Sequence, residues 1–439
     1  MAGEVELGDR ASVILKEKLL PKLQKNFWRI SKKPLLRLLG MEINEATLGD
    51  GGPITPRASS KVERIGISND FVIVHQHEAF GGGIRAAVER EQLANGSYQA
   101  TRSTATAKTI QGAFTLSQHV IDATQGKPEA LVNEIVTNAL GAVHRVHEEV
   151  NRQLVGEKEG VLGYIGTGQG TTGTTVTMSS GVGYTNEVWP TKYIHVHDVI
   201  LIGTEAQIKA GSADSLTVTA ITGETTFTVS SSFTSADDDR IVRASVWDSS
   251  GSIYKEITGL DSLIAASGTV QTLNKANNVW FQSHVATSTG AITDDKIYDQ
   301  YMKARNFTES PDQIMIICNN KQWRRYAATL TSTKEIHPAT IDGQFAGGVK
   351  GLKMYSPDGS LIFLIDDDVV ETSMFGFDPD GYIFGILTPF RFADSGINMS
   401  GYSALRTPNY LEYEFAFYMI AEFGQKNARS SFRLDGLTG

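Results

Sequence analysis

The segment "YLEYEFAFYMIAEFG" at 410–424 alternates apolar and polar side chains almost without fault. Leu411, Tyr413, Phe415, Phe417, Met419, Ala421 and Phe423 fall on one face, and Glu412, Glu414, Tyr418 and Glu422 on the other. A period of two sustained over this length predicts a single β-strand of about 45 Å, far longer than the usual strand. A second long element matches it. "KPEALVNEIVTNALGAVHRVHEEVNRQL" (127–154) carries Leu131, Ile135, Ala139 and Val143 at a spacing of four, with Val132, Val136 and Leu140 beside them. Val146, Val150 and Leu154 continue the stripe, and Pro128 suits a first turn. That is a helix of about 40 Å. A helix and a strand of such matched length predict an extended, plate-like body.

Composition sets the outer limits. The 439 residues are 41% hydrophobic and 20% charged, an ordinary globular balance, and 43 glycines point to many turns and much β-structure. The single cysteine, Cys318, lies in the apolar run "QIMIICNN" and reads as a small buried hydrophobe. It excludes an internal disulfide framework and a multi-cysteine metal site. No apolar run approaches the ~18 residues of a membrane span, and the N-terminus lacks the signal-peptide pattern. The expectation is a soluble protein made in a cytoplasm, with no membrane partner. Charge is unevenly spread. Of the net −9, residues 1–40 hold +5 and residues 41–439 hold −14. A basic arm on an acidic body predicts a separate partner for the arm.

The chain divides into six stretches. Residues 1–54 form the basic arm, amphipathic but interrupted by Pro21 and Pro34. Residues 55–112 read as a long β-hairpin loop. Strand-like "KVERIGISNDFVIV" leads to a glycine hinge, a short helix and an Asn-Gly turn in "FGGGIRAAVEREQLANGS", and the β-rich run "SYQATRSTATAKTIQGAFTLS" returns. Such a ribbon has too little apolar content to make a core and needs another surface to lie on. Residues 113–157 contain the long helix. Residues 158–255 turn rich in Thr, Ser, Gly and Val, with strand candidates at "TTVTM", "KYIHVHDVILI", "SLTVTAI", "TTFTVSS" and "RIVRASV". Helical patterns flank this stretch, so it reads as a small inserted all-β domain, removable with the body still folded. Residues 256–405 are mixed α/β, and 406–439 hold the long strand and a tail. The fold class is α+β.

Candidate chemistry is sparse. "GYIGTGQGTTGTT" (163–175) follows a helix and leads into strands, and it holds no lysine. A Walker loop or a dinucleotide fingerprint needs the opposite context, strand into helix, so this stretch reads as a linker. "IHVHD" (194–198) would place His195 and His197 on one strand face, where they read as surface residues. His144, His147 and Glu148 follow the order H-x-x-H-E, which is not the H-E-x-x-H of zinc proteases. "IDDDV" and "ADDDR" read as acidic turns without EF-hand spacing. No G-x-S-x-G occurs, and no catalytic, cofactor-binding or metal-ligating residue is assigned.

The order of these parts resembles a tailed-bacteriophage major capsid protein of the Hong Kong 97 type: N-arm, extended loop, spine helix, axial domain and peripheral domain. Local sequence adds to it. "VNRQLVGEKEGVLG" (150–163) looks like the family's helix exit, with Lys158 and Glu159 disturbing its glycine pattern. "TGLDSLIAASGTVQTLNKANNVWFQSHV" (258–285) is similar to the segment that re-enters the axial domain, and "YLEYEFAFYMIAEFGQKNARSSFRLDGL" (410–437) to the last peripheral strand and tail. The resemblance implies a non-enzymatic subunit that self-assembles into pentamers and hexamers of an icosahedral shell around double-stranded DNA. It implies a virion location after assembly in a host cytoplasm, and scaffolding, portal and possible decoration proteins as partners. The 1–54 arm is too short for a fused scaffold. The implied roles are specific. Lys16, Lys18, Lys22, Lys25, Arg29, Lys32, Lys33 and Arg37 of the arm would meet DNA, without reading sequence, or a neighbouring subunit. Phe80, Ile84, Arg85, Val88 and Leu93 at the loop tip would meet a neighbour. The ribbon would gain its stability by resting on other copies. Lys61 and Lys108 lie near the loop's base, and no Lys–Asn cross-link is assigned to them. An encapsulin-like compartment shell is the alternative within the fold, and an adhesin binding carbohydrate through the 158–255 domain is the alternative outside it.

Overall fold

The computed structural model describes residues 35, 59–61, 69–81, 97–117, 141, 145–146, 148–166, 168, 172–179, 189–244, 246, 254–308, 311, 314–333, 353–356, 359–392, 405–406 and 412–438. In chain order the elements are β1 (Ser59–Lys61), β2 (Asp70–Gly81), β3 (Ser97–Thr106), β4 (Lys108–Ser117) and a helix, α1, that ends at residue 155. Next come β5 (Val161–Tyr164), β6 (Thr172–Thr177), β7 (Val199–Gly203), α2 (Glu205–Lys209), β8 (Asp214–Ile221), β9 (Thr226–Thr234) and β10 (Arg240–Arg243). The chain continues with α3 (Leu260–Leu263), β11 (Thr269–Val270), β12 (Leu273–Asn274), β13 (His284–Ala286), α4 (Asp294–Arg305), β14 (Met315–Cys318) and α5 (Asn320–Thr333). It closes with β15 (Lys353–Ser356), β16 (Gly359–Ile365), β17 (Met374–Phe377), β18 (Tyr382–Phe392), β19 (Leu405–Arg406), β20 (Glu412–Gln425) and β21 (Ser431–Leu434). The architecture is α+β.

The alternating segment forms β20, 14 residues long. Residues 412–421 pair antiparallel with β4, and 417–425 pair antiparallel with β18 on the other side. β1 joins β18 in parallel, and β19 adds a short rung to β20. Odd-numbered Phe417, Met419, Ala421 and Phe423 enter the main core with Val146, Val150 and Leu154 of α1. Tyr382 stacks on Phe423 with ring centres 5.4 Å apart, and each such buried aromatic contributes about 2–3 kcal/mol of transfer free energy. Leu35 of the N-terminal arm is fully buried in the same core. The 127–140 start of the expected long helix lies outside the described residues.

One expectation, that the ribbon rests on other copies, is corrected on the other face of β20, where Glu422 is only 3% exposed. The base of the β2–β3 hairpin covers it. Phe71, Ile73, Ala105 and Ala107 pack there on Ile420, with Ile383, Leu387 and Tyr418 around them. So the base of the ribbon rests on its own subunit, not solely on other copies. The hairpin proper is β2 with β3, and β4, which starts at Lys108, already belongs to the central sheet.

The 158–255 stretch builds a six-stranded sheet in the order β5-β10-β7-β8-β9-β6. It closes on itself. Ile165 bridges Met178, Ser179 N–H donates to Tyr164 O at 2.8 Å, and Gly166 N–H donates to Thr177 O at 3.1 Å. Leu162, Val176, Ile200, Ile202, Leu216, Val218, Phe227 and Val229 fill the interior, one residue in two along each strand. The two ends of the glycine-rich stretch thus belong to strands of this barrel, β5 and β6. His195 and His197 are also corrected: no strand carries them. They sit in the tight turn before β7, where Asp198 accepts from His195 N–H at 3.1 Å and His197 takes a positive φ of 74°.

A second, mixed sheet runs β13-β21-β17-β14-β16-β15. Its β14 explains the apolar run around Cys318. Met315 and Ile317 enter the main core while Ile316 and Cys318 face Ile297, Tyr301 and Ala304 of α4. Burial pushes the Cys318 thiol up to about 12. "TGLDSLIAAS" forms only the single turn α3, capped by Gly259, because the chain there crosses the exit of α1 at close range. A Cβ on Gly259 would collide with the carbonyl oxygens of Gln153 and Gly156. Gly259→Ala is expected to lower the unfolding free energy by about 3 kcal/mol, read from denaturant titration of the purified protein.

Candidate assembly surface

The β2–β3 hairpin is amphipathic in an unusual sense: both of its faces carry apolar side chains. Phe71, Ile73 and His75 point into the body, and the alternate residues Val72 and Val74 are 41% and 56% exposed. Opposite them on β3 stand Thr104 and Arg102. Gly385 gives the inner face room, since a Cβ there would stand 2.6 Å from the Phe71 ring. His75 fixes the base. Its Nδ1–H donates to Lys426 O at 2.9 Å, which leaves Nε2 to accept from Ser103 Oγ at 2.6 Å. The imidazole meets the Phe281 ring edge-on at 4.8 Å, with Trp280 at 5.7 Å. The outer valine face therefore rides on a rigid base, ready to be covered by a further surface.

Under this hairpin lies Glu422. Burial pushes its carboxyl up to about 7, although Thr258 N–H at 2.7 Å and Phe423 N–H at 3.2 Å both donate to it.

The helix exit forms a second organised region. Asn151, Arg152 and Gln153 are all buried, and they tie α1 to the 366–368 loop and to the 256–257 segment. Asn151 Nδ2 donates to Asp368 at 2.6 Å and to Asp366 at 3.0 Å. Arg152 spans Glu149 at 2.6 Å and Glu256 at 2.5 Å, and Gln153 Oε1 accepts from Ile257 N–H at 3.1 Å. From the barrel, Arg243 reaches Glu149 at 2.6 Å, Tyr193 OH donates to Asp368 at 2.5 Å, and Lys192 pairs with Asp368. Burial alone would raise Glu149, but Arg152 and Arg243 outweigh it and hold the carboxyl well below the usual carboxylate range. Glu256, which shares Arg152, is raised by burial. Burial and the neighbouring Asp368 raise the Tyr193 phenol. These bonds cross the barrel's boundary, so excising the barrel would strip partners from Glu149 and Asp368.

The other sequence candidates fall apart as chemistry. Gly168 N–H donates to Asp237 at 2.7 Å, so an internal carboxylate takes an amide of the glycine-rich loop. The acidic turn 366–368 is held by the donors already named. Among the described residues, no group of three or more His, Cys, Asp and Glu side chains is placed to hold a metal. His144 and His147 lie outside the described residues, as do Lys16, Lys18, Lys22, Lys25, Arg29, Lys32, Lys33 and Arg37 of the arm and Ile84, Arg85, Val88 and Leu93 of the loop tip. Phe80 falls in β2. Sequence reasoning missed the anchors His75, Ser103 and Glu422. A histidine continuing the apolar run "FVIV" was the available signal for the first.

No family model matches this sequence, and no curated protein matches it. Among solved structures, the chain is similar to a subunit of the cyanophage A-1(L) capsid asymmetric unit, at 10% identity over 87% of this chain and 92% of that one, with a TM-score of 0.48. It is similar to the capsid of an empty GTA particle at 10% identity, over 92% and 96% of the two chains, with a TM-score of 0.41. It is also similar to the holo-SrpI encapsulin complex of Synechococcus elongatus PCC 7942 at 7% identity, over 93% and 96%, with a TM-score of 0.39.

Two outcomes follow from the buried groups. Arg152→Met leaves Glu149 and Glu256 without their shared cation, and it should cost about 3–5 kcal/mol in denaturant unfolding. Glu422 carries its proton in the fold between its unfolded value of 4.5 and about 7. The stability tied to that proton is full below 4.5 and is lost as pH rises through 7. Glu422→Gln should flatten the pH–stability profile across this window and raise the unfolding free energy at pH 8 by about 2–3 kcal/mol.

Proposed function

We propose that this chain is a shell-forming structural subunit with a Hong Kong 97-type fold, the major capsid protein of a tailed phage. One arrangement carries the reading. A β-hairpin is anchored at its base on the back of a 14-residue strand, and its outer face leaves Val72 and Val74 exposed. A monomer gains nothing from a rigidly mounted apolar ribbon. A lattice does, because each copy supplies the cover for the next through repeated, heterologous contacts. The element order and the three family-like segments read from the sequence support the same assignment. The loop tip at Phe80, Ile84, Arg85, Val88 and Leu93 extends this contact onto the neighbour.

The basic arm fits the interior of a nucleic-acid-filled shell. Its cations neutralise phosphate without reading sequence, and that interaction weakens steeply with salt. Leu35, buried in the main core, anchors the arm's C-terminal end to the plate. A scaffolding protein and a portal complete the assembly, which takes place in the host cytoplasm.

The full-length protein, alone or with its scaffolding partner, should elute near the void volume and form rings or shells under negative stain. Val72→Asp with Val74→Asp should abolish those particles while leaving the monomer's Tm within a few degrees. Persistent monomers of the unaltered chain under every assembly condition would overturn the reading. Particles that enclose protein cargo and no nucleic acid would instead mark a compartment shell.

A further inference from the structure

β11 and β12 form a small hairpin whose two-residue loop is Gln271-Thr272. Both residues take positive φ, 51° and 66°. That is the geometry of a type I′ turn, which favours Asn-Gly and penalises a β-branched residue. Local preference is broken twice in succession, so something other than the turn has chosen these side chains. Their partners identify it. With its amide oriented to satisfy both, Gln271 donates to Gln425 O at 3.0 Å and accepts from Gln425 N–H at 2.6 Å. The side chain thus imitates one rung of a β-ladder at the end of β20. Thr272 Oγ1 accepts from Thr104 N–H at 3.3 Å, on β3. Gly424 leaves the space, since a Cβ there would stand 2.7 Å from both Ile73 and the Gln271 amide.

We infer that Gln271 and Thr272 are positioning residues, a strained clasp that sets the long hairpin's height and angle on the plate. The clasp joins β20 to β3 through side chains alone, beside the His75–Lys426 bond. The geometry of the hairpin base therefore does not depend on a neighbouring subunit. That this matters for assembly rests on the shell reading; the clasp itself does not.

The test replaces Gln271-Thr272 with Asn-Gly, the pair the turn prefers, and in a second variant makes Gln271→Glu, which cannot donate to Gln425 O. If the loop were only a turn, Asn-Gly would improve it and leave the hairpin untouched. The clasp predicts the reverse. Amides of 71–75 and 101–105 should exchange at least ~10-fold faster in both variants, measured by hydrogen exchange on the unassembled protein, with the global Tm unchanged or raised for Asn-Gly. Particle yield should fall in parallel. Unchanged exchange in both variants overturns the clasp. Faster exchange with normal particles keeps the clasp and removes its role in assembly, while an unaltered chain that never assembles bears only on the shell reading.

Discussion

Two covered faces on one strand organise this molecule. β20 carries α1 and the main core on its odd side and the hairpin base on its even side. A strand covered on both sides has no tolerance for register slip, because a shift of one residue would exchange Phe423 with Glu422. It also excludes solvent along its second half, which is why a carboxylate there holds its proton to about 7. The hairpin, the helix and β18 are all positioned by reference to this strand.

The helix exit solves a different problem. Three parts of the chain, α1, the closed barrel and the loop 366–368, meet there through buried polar side chains. Asn151 meets Asp366 and Asp368, Arg152 meets Glu149 and Glu256, and Gln153 meets the Ile257 amide, with further cations from Arg243 and Lys192. Such a buried polar network is geometrically demanding, and removing any member leaves an uncompensated group. It specifies one orientation of the barrel more than it adds stability.

Much of this was legible in the sequence, and the failures have physical causes. The period of two in 412–425 and in the barrel segments announced strands because each strand has one face toward a core. The apolar run around Cys318 announced burial, and Met315–Cys318 is a strand buried on both faces. Alternation placed Glu422 on the face opposite Phe423 but says nothing about what a distant hairpin covers. "IHVHD" looked like a strand, but Asp198 caps the backbone of His195 and turns the chain, a local hydrogen bond that composition does not reveal. The family-like "NRQL" was read as a signature, and its reason, a three-way polar joint, emerges only from partners more than 100 residues away. The β2–β3 hairpin was partly legible. Its existence followed from turn residues and alternation, and its mounting on its own subunit did not.

The closure of the 158–255 barrel has one more consequence. An open sheet ends in strands whose unpaired amides and carbonyls invite pairing with any similar strand nearby. Among many identical copies held side by side, such a rim would promote aggregation. The Ile165–Met178 bridge and the Ser179 and Gly166 amides tie the end of β5 to the end of β6 among the described residues. That junction takes backbone groups that an open sheet would offer to a similar strand nearby.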